Sequence, residues 1–192
     1  VLLEHDCDIL AGKRVGLITN QTGVSSDGKS TIDLLFASNR CKLVALFSPE
    51  HGIRGTEDTQ VSSSVDAKTG LPIHSLYGET RKPTAKMLEG LDALVFDIQD
   101  IGTRFYTYIG TLSLAMQAAH EAGILFVVLD RPNPVGGVKV GGAVPDSSGC
   151  GVLTSIHPIP TLHGMTVGEL ALLFNDHFGI GCRLEVVPLK NW

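Results

Sequence analysis

Ala93-Leu-Val-Phe-Asp97-Ile-Gln99-Asp100 is the stretch that decides the fold. A short apolar run ends abruptly in carboxylates and a carboxamide, which is how a fully buried strand reads when its end opens on a polar rim. Three other runs repeat the pattern. Arg14-Val-Gly-Leu-Ile-Thr19 leads into Asn20 and Gln21, and Lys42-Leu-Val-Ala-Leu-Phe-Ser-Pro49 into Glu50 and His51. Ile124-Leu-Phe-Val-Val-Leu129 leads into Asp130, Arg131 and Asn133. In an open α/β sheet, ligands bind outside the carboxyl ends of the strands. Four such ends in one sheet line up these polar groups as an active site.

Between the strands the spacing predicts helices over Thr31–Ala37, Thr84–Leu88 (Thr84 as N-cap), Tyr108–Ala122 (stopped by Gly123) and Thr166–His177. Thr166 with Glu169 three residues on forms a capping-box pattern. Leu71–Tyr77 reads as a short extended segment and Arg183–Leu189 as a last strand. Residues 55–70 read as a polar loop, and Arg131–Gly151 as a long Gly/Pro/Ser-rich excursion of the kind that is usually functional. Strands alternating with helices predict a three-layer α/β domain, its sheet mostly parallel and covered by helices on both faces.

Composition is consistent with one folded domain. Of 192 residues, 43% are hydrophobic, enough for a core, and 18% are charged, too few for a disordered chain. A net charge of -5 leaves no electrostatic footprint for nucleic acid. No apolar run is long enough to span a bilayer, and no secretory signal is present. Val1-Leu-Leu-Glu reads like the middle of an element, and Asn191-Trp192 follows a strand without a closing helix, so the expectation is an excised piece of a longer protein. Cys7, Cys41, Cys150 and Cys182 lack metal-ligand spacing and read as separate thiols, with a Cys150–Cys182 bridge open only in an exported protein.

Gly23-Val-Ser-Ser-Asp-Gly28-Lys29-Ser30 satisfies the phosphate-loop pattern GxxxxGK[ST], after a strand and before a helix, and Asp97 would then hold magnesium. A P-loop nucleotide-binding protein is thus the alternative function. Against it, the loop has only the two pattern glycines, and Gln21 and Thr22 separate it from the strand. It also leaves Glu50, His51, Arg104, Tyr106, Asn133 and His163 unused. An ordinary turn with Gly28 at positive φ is the simpler reading.

The chemistry points to Glu50. It sits between Pro49 and His51 on a rigid turn, and an apolar pocket under Phe47 and near Tyr77 would raise its pKa, as a general acid requires. Asp97 is the second candidate catalytic carboxylate, since paired carboxylates divide the roles in glycoside hydrolysis. Gln99, Asp100 and Asp130 lie beside it as candidate ligands for substrate hydroxyls or water. Arg54 and Arg104 are suited to clamp a substrate carboxylate. Tyr106 can stack on a sugar, and Asn20, His51, Asn133 and His163 complete the candidate binding set. No metal-ligand spacing is present.

Together these stretches resemble a known family. Gly16-Leu-Ile-Thr-Asn-Gln-Thr-Gly23, Phe47-Ser-Pro-Glu-His-Gly-Ile-Arg-Gly55, Ser75-Leu-Tyr-Gly78, Val95-Phe-Asp-Ile-Gln-Asp100, Arg104-Phe-Tyr-Thr-Tyr108, Leu129-Asp-Arg-Pro-Asn-Pro134 and His163-Gly-Met-Thr-Val-Gly-Glu169 are similar to the NamZ-type exo-β-N-acetylmuramidases. The resemblance implies a Rossmann-like N-terminal catalytic domain over 1–192, the C-terminal α/β domain being absent. It implies a glycosidase that releases terminal N-acetylmuramic acid from peptidoglycan fragments, with Glu50 as the catalytic residue and no cofactor. A secreted, periplasmic or cell-surface location would follow from that substrate. The piece alone would be inactive if half the cleft is missing, and a non-catalytic muropeptide-binding module is the remaining alternative.

Overall fold

The computed structural model describes Leu2, residues 7–49, Ile53, residues 64–78 and residues 80–192. The strands are β1 (Arg14–Thr19), β2 (Lys42–Ser48), β3 (Ser64–Val65), β4 (Pro72–Ser75), β5 (Ala93–Asp97), β6 (Leu125–Leu129) and β7 (Arg183–Val187). The helices are α1 (Thr31–Phe36), α2 (Tyr108–Ala122) and α3 (Val167–Asp176). The strands form one sheet in the order β3-β4-β2-β1-β5-β6-β7. All neighbours are parallel except β3 with β4.

The chain steps outward from β1 to β2 and β4, then returns to lay β5 on the other side of β1. Strand order therefore reverses between β1 and β5, the point outside whose carboxyl ends open α/β sheets bind their ligands. The two ends are level, because Thr19 pairs with Asp97. The Thr19 hydroxyl also donates to the Asp97 carbonyl at 2.9 Å.

Alternate strand residues feed two cores. Ile18, Phe47, Leu94, Phe96, Phe126 and Val128 pack with α2 and α3. Val15, Leu17, Leu46, Val95 and Val127 pack with α1 and with Cys7 and Leu10. Burying each large apolar side chain is worth about 1.5–3 kcal/mol. Every residue of β5 is buried, so the period-two alternation that marks a one-sided strand is absent there. Gly16 is required by packing, since a Cβ there would lie 2.8 Å from both Leu91 Cδ1 and Phe47 Cε2.

The predicted elements are in place, with three differences. Thr84–Leu88 forms hydrogen-bonded turns instead of a helix: Met87 and Leu88 N–H both reach the Thr84 carbonyl before Gly90, at φ 74°, turns the chain into β5. The last strand stops at Val187, because Pro188 has no N–H for the ladder. The two-residue β3 lies in the segment read as loop and is too short to show alternation. None of the four cysteines forms a disulfide. Among the described residues no helix is long and apolar enough to cross a membrane.

Candidate active site

Glu50, His51 and Arg54 lie outside the described residues. Their neighbours on either side are anchored: Pro49 at the end of β2 and Ile53 are both buried, Ile53 in the core on the α1 side. Phe47 is fully buried with its ring 5.1 Å from His74, whereas Tyr77 is half-exposed.

The strand-end carboxylates divide by environment. Asp97 is fully buried on the α1 side of the sheet. Its Oδ1 receives Arg131 Nε at 2.7 Å and its Oδ2 receives the Thr31 hydroxyl at 2.5 Å. Burial pushes this carboxyl above the ordinary carboxylate range, while Arg131 and Thr31 pull it down. Arg131 continues to the Val24 carbonyl at 3.0 Å, so the group ties β5, β6, α1 and the β1–α1 loop together. As built, neither Asp97 oxygen is open to a sugar.

Asp130 is likewise occupied. Its Oδ1 accepts from Gly168 N–H at 2.7 Å and Arg131 N–H at 2.8 Å, and its Oδ2 accepts from the Thr166 hydroxyl at 3.0 Å. It therefore satisfies the open N–H groups at the start of α3. Burial raises its pKa, and the bonds from Gly168 and Thr166 oppose the rise.

Asp100 is different. It is buried, and its Oδ2 accepts the Gly102 N–H at 2.7 Å. The same oxygen lies 3.7 Å from His163 Nε2. His163 is also buried, and its Nδ1 accepts from Met165 N–H at 3.2 Å, which puts the ring proton on Nε2, toward Asp100. Among the described residues, Asp100 Oδ1 and His163 Nε2 have no hydrogen-bond partner. Neither have Asn20 Nδ2, Thr103 Oγ1 and Arg104 Nε.

Buried polar atoms without partners are few in native proteins and need a reason. These are contiguous. Asn20 Oδ1 accepts from Thr22 N–H at 2.9 Å, and the Thr22 hydroxyl accepts from Gln99 N–H at 2.9 Å, next to Asp100. Thr103 bridges to Leu162, beside His163, and Arg104 N–H donates to the Thr161 carbonyl at 2.8 Å. The group thus starts at the ends of β1 and β5 and continues toward the start of α2.

The remaining predicted residues hold this shape. Gln99 Nε2 donates to the Asp100 and Pro132 carbonyls at 2.8 and 2.7 Å. Asn133 Nδ2 donates to the Met165 carbonyl at 3.0 Å, and its Oδ1 accepts from Val135 N–H at 2.9 Å. A Cβ on Gly102 (φ 85°) would fall 2.2 Å from that Oδ1, so only glycine fits beside Asn133. Tyr106 meets Tyr108 edge-on, rings 4.7 Å apart at 81°. Thr22, Thr103, Arg131 and Ser155 are the members missing from the sequence-derived set. Thr22, two residues after Asn20, fits an Asx turn and was findable; Ser155, 51 residues from Arg104, carries no local signal.

The Gly23–Ser30 loop does not form a phosphate cradle. Its amides are used internally: Ser25 N–H goes to the Lys29 carbonyl, Gly28 N–H to Ser25, and Thr31 N–H to Gly23. Ser30 caps α1, which starts at Thr31, and Lys29 pairs with Asp27 at 2.9 Å on the surface. The pattern is a tight turn with Gly28 at φ 77°. Among the described residues no three His, Cys, Asp or Glu side chains gather as a metal site. A cleft of about 480 Å³ opens on the α1 side, lined by Val24, Leu34, Pro188 and the Asp97, Asp130 and Arg131 group, and none of the unpartnered polar atoms lines it.

Fold and site define a Rossmann-like α/β domain with a group of buried polar residues near the strand-order reversal. The family model for the exo-β-N-acetylmuramidase NamZ N-terminal region matches residues 15–192. The chain belongs to that family. It is 53% identical over 185 residues to the peptidoglycan β-N-acetylmuramidase NamZ of Bacillus subtilis (strain 168), covering 95% of this chain and 44% of that protein. Crystal structures of two DUF1343 family proteins from Bacteroides fragilis NCTC 9343 are similar to it. One has a TM-score of 0.94 at 50% identity, over 100% of this chain and 49% of its own. The other has 0.82 at 39%, over 96% and 49%. The chain thus spans less than half the length of these relatives.

Proposed function

We propose that this chain forms the Rossmann-like part of an exo-β-N-acetylmuramidase, which releases terminal N-acetylmuramic acid from peptidoglycan fragments. The observation that carries this reading is 53% identity, across nearly the whole chain, to a relative named for that activity. Glu50 protonates the glycosidic oxygen as the bond breaks. In sequence it follows Pro49, the residue next to β2, and a general acid acts from beside the bond it protonates. Asn20, Asp100 and His163 bear buried polar atoms without partners among the described residues, which sugar hydroxyls would satisfy, with Gln99 and Asn133 bracing them. Asp97 and Asp130 have structural parts: Asp97 neutralises Arg131, and Asp130 caps α3. The second half of the cleft comes from the additional length present in the relatives.

The test uses the protein at its full natural length and a chromogenic N-acetylmuramic acid glycoside. Wild type turns it over, and Glu50→Gln keeps the thermal midpoint while losing about 10²–10⁴-fold in kcat. Unchanged turnover in Glu50→Gln removes Glu50 from the mechanism.

A further inference from the structure

We propose that Arg104 is the anion receptor of this pocket and reads the lactyl carboxylate, the group that distinguishes N-acetylmuramic acid from N-acetylglucosamine. The proposal rests on the muramidase reading for the identity of the anion, and on the following geometry for its location.

Arg104 is half-buried, and no carboxylate of the described residues lies within ion-pair reach of its guanidinium. A cation withdrawn from water is ordinarily paired, as Arg131 is with Asp97. The Arg104 head is nevertheless held in place. Nη1 donates to Ser155 Oγ at 3.0 Å, and the backbone N–H is fixed to Thr161 at 2.8 Å. Nε is buried with no acceptor, as is the hydroxyl of neighbouring Thr103. The fork is therefore pre-positioned with its Nε donor still unpartnered, a donor that a carboxylate would satisfy.

The helix beside it adds to the same potential. Ser155 belongs to the segment pressed on the first turn of α2, where a Cβ on Gly110 would fall 2.6 Å from the Leu153 carbonyl oxygen. α2 runs 15 residues from Tyr108, four positions after Arg104. The positive end of that helix dipole and the Arg104 guanidinium both favour an anion at this place. Of the acids nearby, Asp130 is taken up by α3, and Asp100 turns its Oδ2 to His163 while its Oδ1 has no partner among the described residues.

Calorimetric titration of N-acetylmuramic acid and of N-acetylglucosamine into the full-length protein tests this, with Arg104→Gln and Arg104→Lys beside wild type. Wild type prefers the muramic acid, Arg104→Gln weakens it by roughly 10- to 100-fold while leaving N-acetylglucosamine unchanged, and Arg104→Lys falls between. Loss of affinity for both sugars alike in a folded Arg104→Lys, or retained preference in Arg104→Gln, overturns the proposal. The glycoside assay stands apart. Preference abolished by Arg104→Gln in a protein without turnover overturns the hydrolase reading and keeps the receptor; turnover with preference untouched does the reverse.

Discussion

Two carboxylates three residues apart show how little residue type decides. Asp97 is the last residue of β5 and Asp100 lies just beyond it, yet Asp97 has Arg131 and Thr31 on its oxygens while Asp100 keeps one oxygen unpartnered among the described residues. Periodicity located both at the rim; it could not separate them, because the partners come from 34 and 66 residues away. His157 makes the same point away from the pocket. Its Nε2 meets Ser113 Oγ at 2.9 Å, and its ring stacks on Phe178 at 4.3 Å and 11°. Burial lowers its pKa to about 4. Between the ordinary histidine value near 6.5 and about 4, the unfolded chain takes up a proton that the folded chain does not. This residue's contribution is therefore complete above about pH 6.5 and declines as pH falls toward about 4. A ring-proton NMR titration should give a His157 midpoint near 4; a midpoint at the ordinary value contradicts its burial.

At the scale of elements, the helices were legible because their ends carry their own chemistry. Thr166 and Glu169 exchange bonds at 3.1 and 2.9 Å as the capping-box spacing predicts. Thr166 does more than the pattern reveals, since its hydroxyl also donates to Asp130 at 3.0 Å and so joins α3 to the end of β6. Thr166→Ala should therefore cost about 1–2 kcal/mol in urea unfolding, the upper part of the range for a lost cap. A change below about 0.3 kcal/mol would contradict the coupling of cap and strand end. The phosphate-loop pattern failed at this scale for a physical reason. GxxxxGK[ST] specifies glycines and a lysine but not where the amides point, and here an antiparallel bridge between Val24 and Ser30 turns the loop back on itself.

For the whole molecule, β1, β2, β5 and β6 were readable as continuous apolar runs, and the run of strands and helices implied a parallel sheet. Strand order was not readable, because nothing local in the chain says that β5 returns to the far side of β1. That return brings Asn20 into one polar group with Gln99, Asp100 and, through the Thr103–Leu162 bridge, His163. Arg104 finds Ser155 only because the 151–156 segment folds onto α2. The central claim is that the sugar sits at this reversal point with Glu50 acting on it. A crystal structure of the full-length Glu50→Gln protein with an uncleaved muramic acid disaccharide tests it most directly. The account predicts the residue-50 side chain within about 3.2 Å of the glycosidic oxygen, with the sugar against Asn20, Asp100 and His163. A sugar seated instead in the cleft lined by Val24, Leu34 and Pro188, beyond hydrogen-bond reach of residue 50, would contradict it.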